Sequence, residues 1–205
     1  MTPHWITHAL VGVLMAKIKH ARKFGDLPTP RHTAVMDEIE NEKQTDRAVA
    51  VIGAAYVDLV LRDAIAAKLL PDPNLMAELF ENRGPLQDFG SRIHVVFALG
   101  SCGPAAYHDL RAIKDIRNAF AHSAEAMDFN HKDVARLCGT LWYPQTISVA
   151  GRPSPQTPRQ QYIRAIELLT DLFLRDLMLR QRGMRGEDLI MAPGLFGRAT
   201  AKKSK

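Results

Sequence analysis

Cysteine is scarce in this 205-residue chain: Cys102 and Cys138 are the only two. Two thiols cannot build a disulfide framework, and they lack the paired spacing of a zinc site, so buried thiols in a reducing compartment are expected. Long apolar runs are missing too. The N-terminal run, Ala9 to Ala16, spans eight residues, far short of the ~20 needed to cross a bilayer. No basic region precedes it, as a secretory signal would require, and the expected compartment is the cytoplasm with no membrane role. Internal repeats and a glycine-rich phosphate loop are also absent, which removes repeat architectures and P-loop chemistry. No histidine spacing among His108, His122 and His131 reproduces a metal-ligand set, so neither metal nor other cofactor is expected.

What is present is ordinary globular material, 46% hydrophobic and 24% charged. A chain of this length buries roughly 70% of its unfolded surface and needs no staple. The formal net charge of +5 is uneven, since Arg198, Lys202, Lys203 and Lys205 close the chain without an acidic residue. Such a tail either attracts nucleic acid or is a solvated terminus.

Helical spacing dominates. Trp5, Ile6, Ala9, Leu10, Val13, Leu14 and Ile18 recur at 3.6-residue spacing and are followed by lysines and arginines, an amphipathic helix with a basic end. Gly25 to Pro30 reads as a linker, making 1–30 an arm that packs on the body or on a second subunit. The body is expected over 31–182 and a basic flexible tail over 183–205. Within the body a short helix is expected at 33–42. A long one follows, introduced by Thr45-Asp46 and stopped before Pro71, with Val49, Ile52, Tyr56, Leu59, Val60 and Ile65 as its buried stripe. Further helices are expected at 74–81 and at 88–99, the latter burying Phe89, Ile93, Val96, Phe97 and Leu99. Pro104 starts the next, which carries Tyr107, Leu110, Ile113, Ile116 and Phe120 inward. A short helix at 131–138 precedes a proline-rich excursion at 143–158. There Thr146 to Val149 has a strand's composition, and Trp142 and Tyr143 are expected to pack over the bundle. Thr157 as cap and Pro158 as first residue open a long final helix to about Arg182. The fold class is all-α, a helical bundle with an N-terminal helical arm and a long C-terminal helix.

The chemically suggestive segment is Arg117-Asn118-Ala119-Phe120-Ala121-His122. Five residues of helix place Arg117 and His122 ~140° apart. If the helix loosens after Phe120, His122 folds back beside the last turn. A guanidinium and an imidazole together suit metal-independent RNA cleavage. His122 would move the proton of the ribose 2′-OH or of the leaving oxygen, and Arg117 would stabilise charge on the phosphorane. Asn118 would orient the phosphate or cap the helix. Arg and His near a helix C-terminus also serve simply to meet the dipole. Around them, Arg111 and Lys114 form a modest basic patch able to meet phosphate. Asp58 and Arg92 are candidates for a polar network near Arg117, alongside Arg62 and Asp63. His94 is expected in the core or an interface.

The segment resembles the R-x4-H motif of the HEPN (higher eukaryotes and prokaryotes nucleotide-binding) superfamily of helical bundles, many of them metal-independent endoribonucleases. A wider stretch is similar to the mannitol operon repressor-like family, a HEPN-like group: Thr45 to Asp58, Phe80 with Gly84-Pro-Leu-Gln-Asp-Phe-Gly-Ser-Arg-Ile93, Ala98-Leu-Gly100, and His108 to His122. Together these cover 33–140. The resemblance implies a HEPN-like bundle, commonly dimeric, and negative control of a sugar operon. No helix-turn-helix with a basic recognition helix is legible, so control is expected through a protein or RNA partner of a homodimer. The alternative is an endoribonuclease using Arg117 and His122, including a toxin of a toxin–antitoxin pair.

Overall fold

The computed structural model describes residues 29–81, 83–149 and 152–181, and among these residues there are eight helices and no strand. The N-terminal amphipathic segment and the basic tail lie outside them. The helices are α1 (Thr29–Glu40), α2 (Asp46–Ala66), α3 (Pro73–Phe80), α4 (Phe89–Ala98), α5 (Pro104–His122), α6 (Lys132–Gly139), α7 (Tyr143–Thr146) and α8 (Pro158–Gln181).

Local chemistry sets the boundaries. α1 begins at Thr29 and takes Pro30 into its first turn, where the missing N–H costs nothing, so the end of the expected linker is helix instead. Thr45 caps α2 by accepting from the Ala48 amide at 3.2 Å. Asp72 and Asp88 cap α3 and α4 in the same way, each at 2.9 Å. Thr157 Oγ1 accepts from the Gln160 amide at 3.2 Å, with Pro158 as the first residue of α8. Of residues 146–149, whose composition suits a strand, only Thr146 is helical, as the last residue of α7 with Pro144 in its first turn; Ile147 is extended, and no strand forms among the described residues.

α2 is the central helix and packs against α1, α4, α5 and α8. Its small residues Ala50, Gly53 and Ala54 let α8 approach closely: a Cβ at Gly53 would lie 3.2 Å from both Tyr162 and Ile166. Tyr162 is fully buried there, with its hydroxyl donating to the Ala50 carbonyl at 2.7 Å, so the ring fills the core without stranding a polar atom. Phe129 links this core to α5, 5.2 Å from Tyr162 and 5.0 Å from Phe120 between ring centroids. Ile65, Ile93, Leu110, Ile113, Ile116 and Leu141 complete a continuous apolar interior. Both cysteines are free; burial pushes the Cys102 thiol up to about 11 and Cys138 to about 12, so both are protonated and inert near neutrality.

Candidate functional site

Between α3 and α4 the chain turns so tightly that a Cβ at Gly84 would sit within 2.5 Å of the Leu79 carbonyl oxygen and closer still to that of Glu78. Leu86 then returns to bond the Leu79 carbonyl at 2.8 Å. Arg92, on the inner face of α4 and only 7% exposed, fixes this loop. Its Nε donates to the Leu86 carbonyl at 2.8 Å, one Nη to the Gln87 carbonyl at 2.9 Å, and the other to Asp58 of α2 at 2.7 Å. The guanidinium lies 5.8 Å from the Phe80 ring centroid, and Arg62 approaches that ring at 5.5 Å. Burial pushes the Asp58 carboxyl above its ordinary value, opposed by Arg92 and, from farther off, by Arg117. The expected polar network therefore forms, but all three donor groups of Arg92 are spent inside the fold. The binding role expected of Arg92 meets a buried clamp, because a guanidinium without water needs every partner it has.

α5 positions the Arg117 to His122 segment. Arg117 is half-buried and donates to Asn118 Oδ1 at 3.0 Å. The helix does not loosen after Phe120. It stays regular through His122, and the Ser123 amide still bonds the Ala119 carbonyl at 3.1 Å. Arg47 of α2 then holds the following loop through the carbonyls of Ser123 and Glu125, both at 2.9 Å. With the last turn fixed on both sides, the loosening that would let His122 fold back does not occur in this structure. Arg117 keeps its guanidinium on Asn118, while His122 is exposed in the last turn, where an imidazole complements the helix dipole. No described contact joins the two.

The second half of the surface lies where α4 and α5 run side by side. Phe89, Ile93 and Val96 point inward as expected, whereas Phe97 is 39% and Leu99 42% exposed. The Phe97 ring stacks on Tyr107 with centroids 4.5 Å apart. Tyr107, expected in the core, is half-buried, and its hydroxyl pairs with His94 Nδ1 at 2.8 Å; His94 itself is exposed. Arg111 projects over the Tyr107 ring at 5.8 Å and has no ion-pair partner among the described residues. One turn on, Lys114 Nζ approaches Asp115 at 3.5 Å, a solvated pair that holds little energy.

Asp109 was not legible as a special residue. It is fully buried, and its two oxygens accept from the amides of Trp142 and Tyr143, each at 2.8 Å. The carboxylate thereby caps α7 from 33 residues away, while Trp142 stays exposed rather than packing over the bundle. An aspartate on the inner face of α5 is the signal; its partner depends on tertiary structure.

Among the described residues no group of His, Cys, Asp and Glu could hold a metal ion, and no helix is long and apolar enough to cross a membrane. The family model described as "Mannitol repressor" matches residues 74–170, which run from α3 through the first half of α8 and include the whole α4–α5 surface. No curated protein matches the sequence. Among solved structures the fold is similar to a chain of the "X-ray structure of the MtlR-HPr complex from Escherichia coli", at a TM-score of 0.57 and 15% identity, covering 70% of this chain and 98% of that one.

Proposed function

Proceeding from a chain that is mannitol repressor-like over residues 74–170, we propose that it is a regulatory binding protein that acts through a protein partner of the HPr kind. The observation that carries this reading is the α4–α5 surface, where aromatic and cationic side chains are presented outward within the family-matched stretch. That composition is enriched at protein interfaces. The similar Escherichia coli chain comes from a complex with HPr, which gives the partner its class. Control of transcription would follow from titrating or recruiting a partner, without a recognition helix of its own.

Sedimentation velocity tests the reading. The chain mixed with HPr from the organism that encodes it should sediment as a faster species containing both proteins. Independent boundaries at micromolar concentration would exclude it.

RNA cleavage by Arg117 and His122 is the second reading. Its support is the exposed His122 and the half-buried Arg117 on one helix, with Asn118 fixed beside the guanidinium. Within one chain the helix separates the two side chains by ~140°, so cleavage would need a substrate or a second copy to bring them together. The binding reading requires no such rearrangement.

A further inference from the structure

We propose that the chain's own segment Leu189 to Phe196 docks on the end of the bundle where α2 and α4 finish, covering Leu70 and Leu99.

One bond draws that end together. Lys68, just past α2, donates from Nζ to the Ser101 hydroxyl, just past α4, at 2.6 Å. Leu70 and Leu99 stand next to this bond in sequence, and both are turned outward, 74% and 42% exposed. Their neighbours Leu69 and Cys102 are partly buried against the core, so the exposed pair is the outer margin of an apolar layer. A leucine exposed singly is ordinary; two where adjacent helix ends meet form a surface that a partner would cover.

α8 reaches the same end. The charges of Arg180 and Asp176 both act on the Lys68 ammonium, and Gln181 is the last residue of the helix. The sequence then continues from 182 to 205, and most of that stretch is polar or basic. Leu189-Ile-Met-Ala-Pro-Gly-Leu-Phe196 is the exception, with five large apolar side chains and no charge. Chains that stay solvated are poor in such residues. Residues 182–188 tether it to α8 and span up to about 24 Å, while neighbouring helices pack about 10 Å apart, so the segment reaches the whole end of the bundle. So short a tether holds it at an effective concentration of about millimolar, and a modest apolar contact suffices.

Charge selects the same occupant. Lys68 has no ion-pair partner among the described residues; Asp176 is already engaged by Arg180 at 2.9 Å. Burial, and then Arg180, hold the Lys68 ammonium below its ordinary value. Glu187 and Asp188 directly precede the apolar segment and bring carboxylates to this end. The other apolar stretch outside the described residues, Trp5 to Ile18, is followed by Lys19, Arg22 and Lys23, which Lys68 would repel.

Hydrogen–deuterium exchange of the full chain, read by mass spectrometry, tests this on the parent, Leu70→Asp, Trp5→Asp, and a variant combining Leu195→Asp with Phe196→Asp. Leu70 is exposed, so Leu70→Asp should keep the parent's slow exchange in the core of α2. In the parent, amides of 189–196 are expected to exchange at least tenfold more slowly than in an unstructured peptide of that sequence. Leu70→Asp and the combined variant should each remove that protection, and the combined variant should also speed exchange at 67–72. Unprotected exchange of 189–196 in the parent would overturn the proposal, as would protection that survives Leu70→Asp. Protection that fades on dilution to nanomolar chain would give the surface to a second copy. Loss of protection at 67–72 in Trp5→Asp, with none in the combined variant, would give it to the N-terminal segment. Either result overturns the assignment as well.

Discussion

Arg92 and Asp58 form a 2.7 Å ion pair between α4 and α2, and the same guanidinium holds the two carbonyls that close the preceding loop. The pair is a fastening of the fold. It fixes the start of α4, and through α4 it fixes the side of the α4–α5 surface on which His94 and Phe97 lie.

Replacing Arg92 by alanine should therefore act on stability. The change leaves Asp58 without its counter-charge and strands the Leu86 and Gln87 carbonyls. Breaking such a pair costs about 3 kcal/mol. Urea denaturation should show a loss of that size; a loss within the scatter of surface substitutions would contradict the clamp.

Asp58 also gives stability a signed dependence on pH. Burial raises its carboxyl above the ordinary value even with Arg92 beside it. A group that binds its proton more tightly when folded stabilises most below its unfolded pKa, and that contribution is lost as pH rises through the folded value. The stability of the parent relative to Asp58→Asn should accordingly decline as pH rises from the usual carboxylate range into the range just above it. A relative gain over the same interval, measured by denaturation at several pH values, would refute the burial argument.

Gly84→Ala should destabilise the protein by about 3 kcal/mol or more, at the upper end of single substitutions. The added methyl would run into backbone carbonyl oxygens, which cannot swing away as a flexible side chain can. A thermal midpoint unchanged from the parent would show that the turn has room the structure does not contain.

The regular end of α5 leads to an expectation about RNA. Labelled structured RNA incubated in EDTA should stay intact with the parent chain, as with His122→Ala, because the helix holds Arg117 and His122 on different sides. Cleavage by the parent that disappears in His122→Ala would restore the enzymatic reading.

Much of the bundle can be read from the sequence because its signals are local. Thr45 and Thr157 mark helix starts, Pro104 and Pro158 sit in first turns, and the stripe from Val49 to Ile65 repeats at helical spacing. The outward aromatic pair is less legible. Phe97 follows Val96 by a single residue, and periodicity over ten residues cannot tell the edge of a buried stripe from a side chain just beyond it. Which side of α4 is free depends on α2 and α5, which pack on it from elsewhere in the chain. The end of α5 is left open by the sequence for a related reason: nothing near His122 in sequence announces that Arg47 secures the next loop. Asp109 and its cap on α7 were missed because the partners lie 33 and 34 residues apart.

The most direct measurement is an isothermal titration of HPr, from the organism that encodes this chain, into the purified chain. A saturating isotherm with a micromolar or tighter constant, about −8 kcal/mol or better, is the predicted result. No heat of binding at protein concentrations well above micromolar, with both proteins shown to be folded, would contradict the account of this chain as a partner-binding regulator.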